Sequence, residues 1–379
     1  MDSQIIEVLN VTRETSWLPW AVSYFFLIGL SYGSFMLTLP YFVFGRAQHE
    51  KLGRLALLAA LVCGLTAPVA LLADLHGPGR FMNFYLHFQP QSWMSWGSFF
   101  IPVYLAGLLL YAWLALRGDF AVRGQGGTSW LARLYCLAGR GGAAPRMAVA
   151  AAALLALAGA VLVALYTGME VMVVHARPLW NTPFLPAQFA ATAFAGAIGL
   201  SLLFNRFIGG RDSDLETGLN RLLVLALALV LVLGGGWLFA SMSGVSPSHS
   251  AAFSQVAGMP QWQLTAVWAV LATVLPMALA TWRPASSGLI TGLIAVHSAW
   301  MMRWTIFIGG QSIPKTGAGL YDYHLPLGND GLLGIVGTLG LWIALLVLML
   351  EYLPWAGQAF AAGDKKATNA LAANAIASH

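Results

Sequence analysis

The sequence has very little charge and very few cysteines. Asp, Glu, Lys and Arg make up 9% of its 379 residues, whereas soluble domains carry about 25%. So little charge cannot cover a surface exposed to water, which excludes an ordinary soluble fold. The two cysteines, Cys63 and Cys136, are too few for an iron–sulfur cluster, which needs about four ligands. Spacings typical of other metal sites and of phosphate-binding loops are also missing, so we expect no metal in this chain.

Histidines inside apolar segments are equally scarce. Of the eight histidines, only His297 lies well inside an apolar block. A membrane subunit that carries two b haems needs four axial histidines within its helices, because axial side chains hold the haem iron. We therefore expect that this chain binds no haem.

The sequence is rich in long apolar blocks. Hydrophobic residues make up 59% of the chain, and the mean hydropathy is +0.73. A block of about 18 or more apolar residues is typical of a helix that crosses a bilayer, because backbone polar groups in lipid must be paired within helices or a closed barrel. We predict an all-α integral membrane protein of about nine transmembrane helices, in the blocks 17–44, 55–73, 93–116, 147–174, 184–207, 222–242, 262–282, 288–310 and 332–354.

Basic residues are distributed unevenly between the loops that connect these blocks. The loops after the first, third, fifth and seventh blocks contain most of them, for example Arg46, Arg117 and Arg211. Because basic loops stay on the cytoplasmic side, we predict a bacterial inner-membrane protein with a periplasmic N-terminal segment, residues 1–16, and a flexible cytoplasmic tail, residues 355–379. The net charge of +5 then reflects membrane orientation, and we expect no nucleic-acid partner.

Polar residues that could carry chemistry converge on the outer half of the bilayer. Tyr166 and Glu170 are four residues apart and share one face of the fourth helix, roughly 12 and 6 Å below its outer end. A quinone headgroup at this depth needs hydrogen-bond donors for its two carbonyl groups and a relay for its protons, and these residue types can provide both. The candidates for quinone binding are Tyr166, Tyr24, Trp20, His175 and Arg303. The candidates for proton transfer are Asp74, Glu170 and Arg177.

Simpler interpretations of these residues stay open. Trp20 and Tyr24 are typical of an interfacial aromatic belt, a buried Arg303 can simply pair with a carboxylate, and Asp74 can brace a loop. Two other functions are consistent with the sequence, a passive membrane anchor without a quinone site and a secondary transporter, although the inverted repeats typical of transporters are not evident. The inner halves of the helices offer few titratable groups, so we expect no continuous proton path.

Several motifs resemble those of one known family. The segment Asp74-Leu-His-Gly-Pro-Gly-Arg80 followed by Gln91-Ser-Trp-Met-Ser-Trp-Gly97 is similar to the signature of polysulfide reductase membrane subunits, the NrfD/PsrC family. In that family an Asp-Leu-Gly-Arg-Pro-like turn precedes a Ser-Trp-Met-Ser-Trp-Gly-like helix start. Further matches in the same order are Tyr166-Thr-Gly168, Arg177-Pro-Leu-Trp-Asn-Thr-Pro183, and Arg303-Trp followed by Gly309-Gly-Gln311. The resemblance covers about residues 17–313.

The resemblance implies both a fold and a function. The family's core is eight helices in two four-helix bundles, so the loop and ninth helix at residues 314–354 are additional, as in longer members of the tetrathionate-reductase type. The resemblance implies menaquinone or ubiquinone bound near the periplasmic face. It also implies a four-cluster iron–sulfur subunit and a molybdenum–bis-pterin catalytic subunit that acts on a sulfur compound or another oxyanion. Tyr166 matches the family's quinone-contacting tyrosine, whereas the first helix shows no matching Asn or His.

Overall fold

A computed structural model describes residues 15–75, 77–125, 127–313, 321 and 323–355. Nearly all of the predicted periplasmic segment and cytoplasmic tail lie outside the described residues, as does much of the loop before the last helix. The part of the chain that the structure describes consists of helices and connecting turns and contains no strand. This confirms the prediction of an all-α protein.

Long apolar helices alternate with short helices in the connections. In chain order the helices are α1 (Pro19–Phe42), α2 (Glu50–Asp74), α3 (Asn83–Leu86), α4 (Trp93–Gly124), α5 (Trp130–Ala138), α6 (Arg146–Met172), α7 (Phe184–Phe207), α8 (Ser213–Met242), α9 (Pro247–Val256), α10 (Pro260–Trp282), α11 (Gly288–Trp304), α12 (Gly310–Ser312) and α13 (Leu332–Tyr352). A π-helical turn, Thr305–Gly309, joins α11 to α12. The short helices α3, α5 and α9 lie in the connections between the predicted apolar blocks.

Eight of the described helices are long and apolar enough to cross a membrane, namely α1, α2, α4, α6, α7, α8, α10 and α13. The chain is therefore a multi-pass membrane protein. α11 is 17 residues long and continues through the π-helical turn into α12. Together these segments cover the nine predicted blocks, while the number of membrane crossings stays a prediction.

Some helices begin in polar sequence outside their apolar blocks. In α8, an N-terminal cap explains where the helix begins. Asp212 precedes the helix, and its carboxylate accepts hydrogen bonds from the backbone N–H groups of Asp214 and Leu215, both at 3.0 Å. Such a cap satisfies N–H groups that have no partner within the helix. The hydrogen bond from Leu215 contributes most to a pKa of the Asp212 carboxyl below its usual range. The bond from Asp214 and the Lys51 ammonium group, 3.7 Å from Oδ2 of Asp212, act in the same direction. The helix therefore begins in polar sequence, well before residue 222.

The long helices pack as two groups of four. In the first group, α1 and α4 each contact both α2 and α6. In the second group, α7 and α10 each contact both α8 and α11. α1 joins the groups because it also contacts α7 and α11. These neighbours are consistent with the two predicted four-helix bundles.

α1, like α2 and α7, is much more enclosed than the outer spans α8, α10 and α13. Of its most apolar window, 83% is buried, against 22% for α10 and 11% for α13. A helix surrounded in this way can carry polar side chains without exposing them to lipid, where they are costly. α13, by contrast, lies against the outside of α2, where its Trp342 indole donates a hydrogen bond to the Cys63 sulfur at 3.3 Å.

Packing between α4 and α6 depends on Gly159. A Cβ atom built at Gly159 would lie 2.6 Å from the Cα atom of Tyr104 and 2.8 Å from its backbone nitrogen. Small residues let helices approach closely in lipid, where van der Waals contact drives association. We expect Gly159→Ala to lower the free energy of unfolding by about 1–3 kcal/mol, measured as a lower midpoint of thermal unfolding in detergent.

The matched control for this substitution is Gly337→Ala in α13. Nothing lies within 4 Å of a Cβ atom built at Gly337, so the midpoint should stay that of the unchanged protein. Equal midpoints for the two variants would show that the close contact at Gly159 does not stabilise the fold.

Candidate functional site

Two tyrosines and a glutamate meet between α1 and α6. Tyr24 of α1 and Tyr166 of α6 are 0% and 2% exposed, and Glu170, one turn beyond Tyr166, is 7% exposed. Tyr166 lies within interaction range of both Tyr24 and Glu170. The spacing of four residues places Tyr166 and Glu170 on one helix face, and contact between α6 and α1 brings that face to Tyr24. These three residues are called the buried cluster below.

The polar atoms of the buried cluster are incompletely paired. The Tyr24 hydroxyl and Oε2 of Glu170 are buried and have no hydrogen-bond partner of good geometry among the described residues. Buried polar groups are nearly always hydrogen-bonded, and an unpaired one costs roughly 1–3 kcal/mol. A hydroxyl and a carboxyl oxygen that are both unpaired in one cluster are typical of a place that receives a polar ligand.

The tryptophan motif at the start of α4 positions Tyr166. A Cβ atom built at Gly97, the last residue of that motif, would overlap both Cε2 and Cζ of the Tyr166 ring. The ring therefore lies directly against the backbone of Gly97, and any larger residue would displace it. The sequence places Gly97 in a motif, but only the structure shows which side chain its missing Cβ accommodates.

Asp74 ends α2 beside the buried cluster. Its Oδ1 atom accepts a hydrogen bond from the backbone N–H of Leu18 at 3.0 Å, which ties the start of α1 to the end of α2. The Asp74 carboxylate is also close enough to Glu170 for their charges to interact. The predicted proton-transfer candidates Asp74 and Glu170 therefore lie within electrostatic range of each other.

A surface groove lies between the end of α2 and the start of α4. It has a volume of about 830 Å³, and residues from Leu75 to Gln89 and from the start of α4, including Ser92 and Ser95, line it. Cavities of this size commonly hold small-molecule ligands. One side of the groove is lined by Leu75, which follows Asp74 in the chain, and the other by Ser95, two residues before Gly97.

Arg177 lies in the loop after α6 and bonds to a different helix end. Its NH1 atom donates a hydrogen bond to the backbone carbonyl of Gln311 at 3.1 Å, and its guanidinium lies 5.0 Å from the centre of the Trp180 ring. A cation at this place satisfies carbonyl groups that the end of a helix leaves free. Partial burial lowers the pKa of the Arg177 guanidinium. The predicted role of Arg177 in proton transfer stays a prediction, because these contacts are with α12.

The π-helical turn and Gln311 fix the start of α1. The Trp180 indole donates to the carbonyl of Ile306, within the π-helical turn, at 2.6 Å. The Gln311 side chain accepts a hydrogen bond from the backbone N–H of Trp17 at 3.1 Å and donates to its carbonyl at 2.9 Å. π-helical turns occur often at functional sites. Here Gln311, just after the turn, holds Trp17, which directly precedes the helix that contains Tyr24.

Arg303 is fully buried, at 1% exposure. Its guanidinium donates hydrogen bonds to the Thr192 hydroxyl at 2.5 Å and to the Phe189 carbonyl at 2.8 Å, and it interacts with Tyr32 of α1. The ion pairs among the described residues do not include Arg303. The simpler interpretation, a pairing with a carboxylate, therefore has no support in the described residues. A direct contact with quinone stays a prediction.

The other candidates have their described contacts outside the buried cluster. Trp20 packs against α13, because a Cβ atom built at Gly334 would lie 2.7 Å from its ring. His175 is exposed and is hydrogen-bonded to Asn181, with 2.6 Å between the two nitrogens. His297 faces outward and packs edge-on against Trp268. Within the described parts of the chain, no group of three or more His, Cys, Asp or Glu side chains could hold a metal ion.

The sequence also matches a known family and several curated relatives. A family model described as "Polysulphide reductase, NrfD" matches residues 7–315. The chain is 32% identical over 352 residues to the C subunit of tetrathionate reductase from Salmonella typhimurium, a match that covers 92% of this chain and 95% of that protein. It is 27% identical to the C subunit of selenate reductase from Mesobacillus selenatarsenatis, over 88% of this chain and 86% of that protein. A putative dimethyl sulfoxide reductase membrane protein, the C subunit, of Halobacterium salinarum is 29% identical over 57% of this chain and 50% of that protein.

The contact between Gly97 and Tyr166 can be tested directly. Gly97→Ala should displace the Tyr166 ring by about 1 Å, because carbon atoms in contact lie roughly 3.5–4.0 Å apart. A cryo-EM map of the variant at high resolution measures this shift. Gly235→Ala in α8 is the control, since nothing lies within 4 Å of a Cβ atom built there. An unmoved Tyr166 ring in Gly97→Ala would contradict the assignment.

Proposed function

The chain belongs to the polysulphide reductase NrfD family, and we propose that it is the quinone-reactive membrane subunit of a multi-subunit oxidoreductase. It is similar over most of its length to the C subunits of two reductases. In this proposal it lies in the bacterial inner membrane with its N-terminus in the periplasm. It passes electrons between menaquinone or ubiquinone and a periplasmic iron–sulfur subunit, which is joined to a molybdenum catalytic subunit.

The observation that carries the proposal is the unpaired polar atoms of the buried cluster. A quinone offers carbonyl oxygens that accept hydrogen bonds, and a quinol offers hydroxyl groups that donate them. The Tyr24 hydroxyl and Oε2 of Glu170 are a donor and an acceptor that the described residues leave unpaired. The chemistry of the two atoms therefore fits both redox forms of such a ligand.

Each residue of the buried cluster has a definite role in this proposal. The tyrosine hydroxyls orient the ligand's oxygen through hydrogen bonds. Glu170 accepts the proton that leaves a quinol, as a positioned general base does. Asp74, which interacts with Glu170 and lies at the end of α2, is the next acceptor toward the surface. Gly97 acts only by leaving room for Tyr166.

The alternatives fit these observations less well. A passive anchor has no need for unpaired polar atoms within its helices, where each is costly. A secondary transporter typically binds its substrate near the bilayer midplane between repeats, whereas Tyr166 and Glu170 of the buried cluster lie within the last two turns of α6. Because the relatives with the widest coverage are named for tetrathionate and selenate reduction, we propose that the terminal substrate is an oxyanion of sulfur or selenium.

Variants of the buried cluster distinguish a role in quinone chemistry from a role in the assembly of the complex. We expect Tyr166→Phe and Glu170→Gln each to lower the quinol-driven turnover of the assembled complex about 100-fold or more, because each removes a group that holds or accepts the proton. Turnover with an artificial donor that reduces the catalytic subunits directly should stay unchanged. Both rates are measured by the loss of tetrathionate or selenate.

A conservative substitution elsewhere provides the control. Tyr135→Phe removes a buried hydroxyl that donates to the Tyr352 carbonyl at 2.8 Å, far from the cluster in sequence, and should leave both rates unchanged. The proposal fails if the cluster variants oxidise quinol at the normal rate. Loss of both rates, together with loss of the partner subunits, would instead assign these residues to structure.

A further inference from the structure

The second group of helices also contains buried polar atoms that lack partners. His249 of α9 is 2% exposed, and Gln188 of α7 is 6% exposed. Neither ring nitrogen of His249 has a hydrogen-bond partner of good geometry among the described residues, and neither does Oε1 of Gln188. Because buried polar groups are nearly always hydrogen-bonded, these atoms are typical of a place that receives a polar ligand.

Two aromatic rings lie beside His249. The centres of the Phe184 and Trp237 rings are 6.3 Å and 6.2 Å from the centre of the imidazole. Phe184 precedes Gln188 by four residues, so both lie on one face of α7, and α7 and α9 each contact α8, the helix that contains Trp237. A ligand between these helices would therefore meet aromatic rings as well as polar atoms. This place is called the His249 site below.

Glycines of α8 leave space in the His249 site. A Cβ atom built at Gly234 would lie 3.7 Å from Nε2 of Gln188 and would have no other neighbour within 4 Å. Gly235, the next residue, is exposed, and nothing lies within 4 Å of a Cβ atom built there. Gly interrupts a helix interior at a cost in stability. The room beside Gln188 explains why a larger residue at Gly234 would be unfavourable if a ligand binds there.

The His249 site and the buried cluster lie on different sides of α7. A Cβ atom built at Gly168, two residues after Tyr166 in α6, would overlap Pro186 of α7. Phe184 and Gln188 are each two residues from Pro186, which is about 200° around a helix with 3.6 residues per turn. α6 and the His249 site therefore face opposite sides of α7, at a similar position along it.

The helices that form the His249 site carry no charge near it. Residues 222–282 contain no Asp, Glu, Lys or Arg, and the one charged residue of α7 is Arg206, near its other end. In the loop before α7, Arg177 bonds to the Gln311 carbonyl. Burial lowers the pKa of the His249 imidazole, although the Asn181 backbone opposes this effect, so the ring is neutral at pH 7. A buried anion without a paired cation is costly, which disfavours a phosphate group here.

The polar atoms of the His249 site identify the class of ligand. A neutral imidazole has one acceptor nitrogen, and Oε1 of Gln188 is a second acceptor. The ligand must therefore donate hydrogen bonds, and the neighbouring rings favour an aromatic headgroup. A quinol has two hydroxyl donors on one ring, whereas a phospholipid headgroup brings a charged phosphate.

We propose that the His249 site binds a second quinol from the membrane, separated from the buried cluster by α7. The residues that form the site include no carboxylate that could accept the protons of a quinol, so the site holds its ligand and does not oxidise it. The inference goes beyond the proposed function and does not require it, because binding at His249 is independent of the chemistry at Tyr166 and Glu170.

The number of bound quinols tests the proposal. The complete complex, stripped of lipid in detergent, is mixed without oxygen or terminal acceptor with menaquinol-4 or, in parallel, with ubiquinol-2, and native mass spectrometry counts the molecules bound per copy of this chain. We expect two. His249→Phe and Gln188→Leu should each weaken binding of one quinol about tenfold, because each removes one hydrogen bond to the ligand.

Two further variants control for indirect effects. Gly234→Leu fills the space beside Gln188 without removing a polar atom and should lower the count to one. His297→Phe replaces a histidine of α11 that packs against Trp268, outside the His249 site, and should leave the count at two. A count of one in the unchanged complex would overturn the proposal, as would a count of two with normal affinity in all three site variants.

A cryo-EM map of the unchanged complex with the same quinols locates each molecule and needs no variant. The proposal predicts the density of a flat ring beside His249 and Gln188. An ordered water alone, or a phospholipid headgroup, at that place would overturn it. Density beside Tyr24, Tyr166 and Glu170 tests the proposed function separately, since either site can be found occupied without the other.

Discussion

The structure depends on the enclosure of α1 by other helices. A polar side chain within a bilayer is costly unless protein surrounds it, and α1 is surrounded because it contacts α2, α6, α7 and α11. This position allows one helix to carry Tyr24, Tyr32 and several serine and threonine hydroxyls across the membrane. The outer helices α8, α10 and α13 have no such freedom, and their described faces are largely apolar. Both the fold and the proposed chemistry therefore require that other helices surround α1.

The candidate site combines segments that are far apart in the chain. α1 contributes Tyr24, α6 contributes Tyr166 and Glu170, and the start of α4 contributes the glycine against which Tyr166 lies. Hydrogen bonds with Gln311 and Asp74 fix the residues at the start of α1. The family motifs therefore have distinct places in the fold: one contains Tyr166 of the buried cluster, and others lie at the helix ends around it.

The sequence predicted the helices well and the site in part. Long apolar blocks identify membrane helices because the bilayer leaves few alternatives to a helix, and spacing along α6 placed Tyr166 and Glu170 on one face. The contact between Gly97 and Tyr166 and the position of His249 could not be predicted, because they depend on the register between helices. Arg177 shows the same limit: within a motif that resembles the family it is a candidate for proton transfer, whereas its observed hydrogen bonds are to carbonyl groups of α12.

The central claim is that quinone binds beside Tyr24, Tyr166 and Glu170. Photolabelling of the complete complex with an azidoquinone, followed by mass spectrometry of the peptides, tests it most directly. The account predicts adducts in the outer halves of α1 and α6 that excess unlabelled quinol suppresses. Adducts confined to α8, α10 or α13, with α1 and α6 unlabelled, would contradict it.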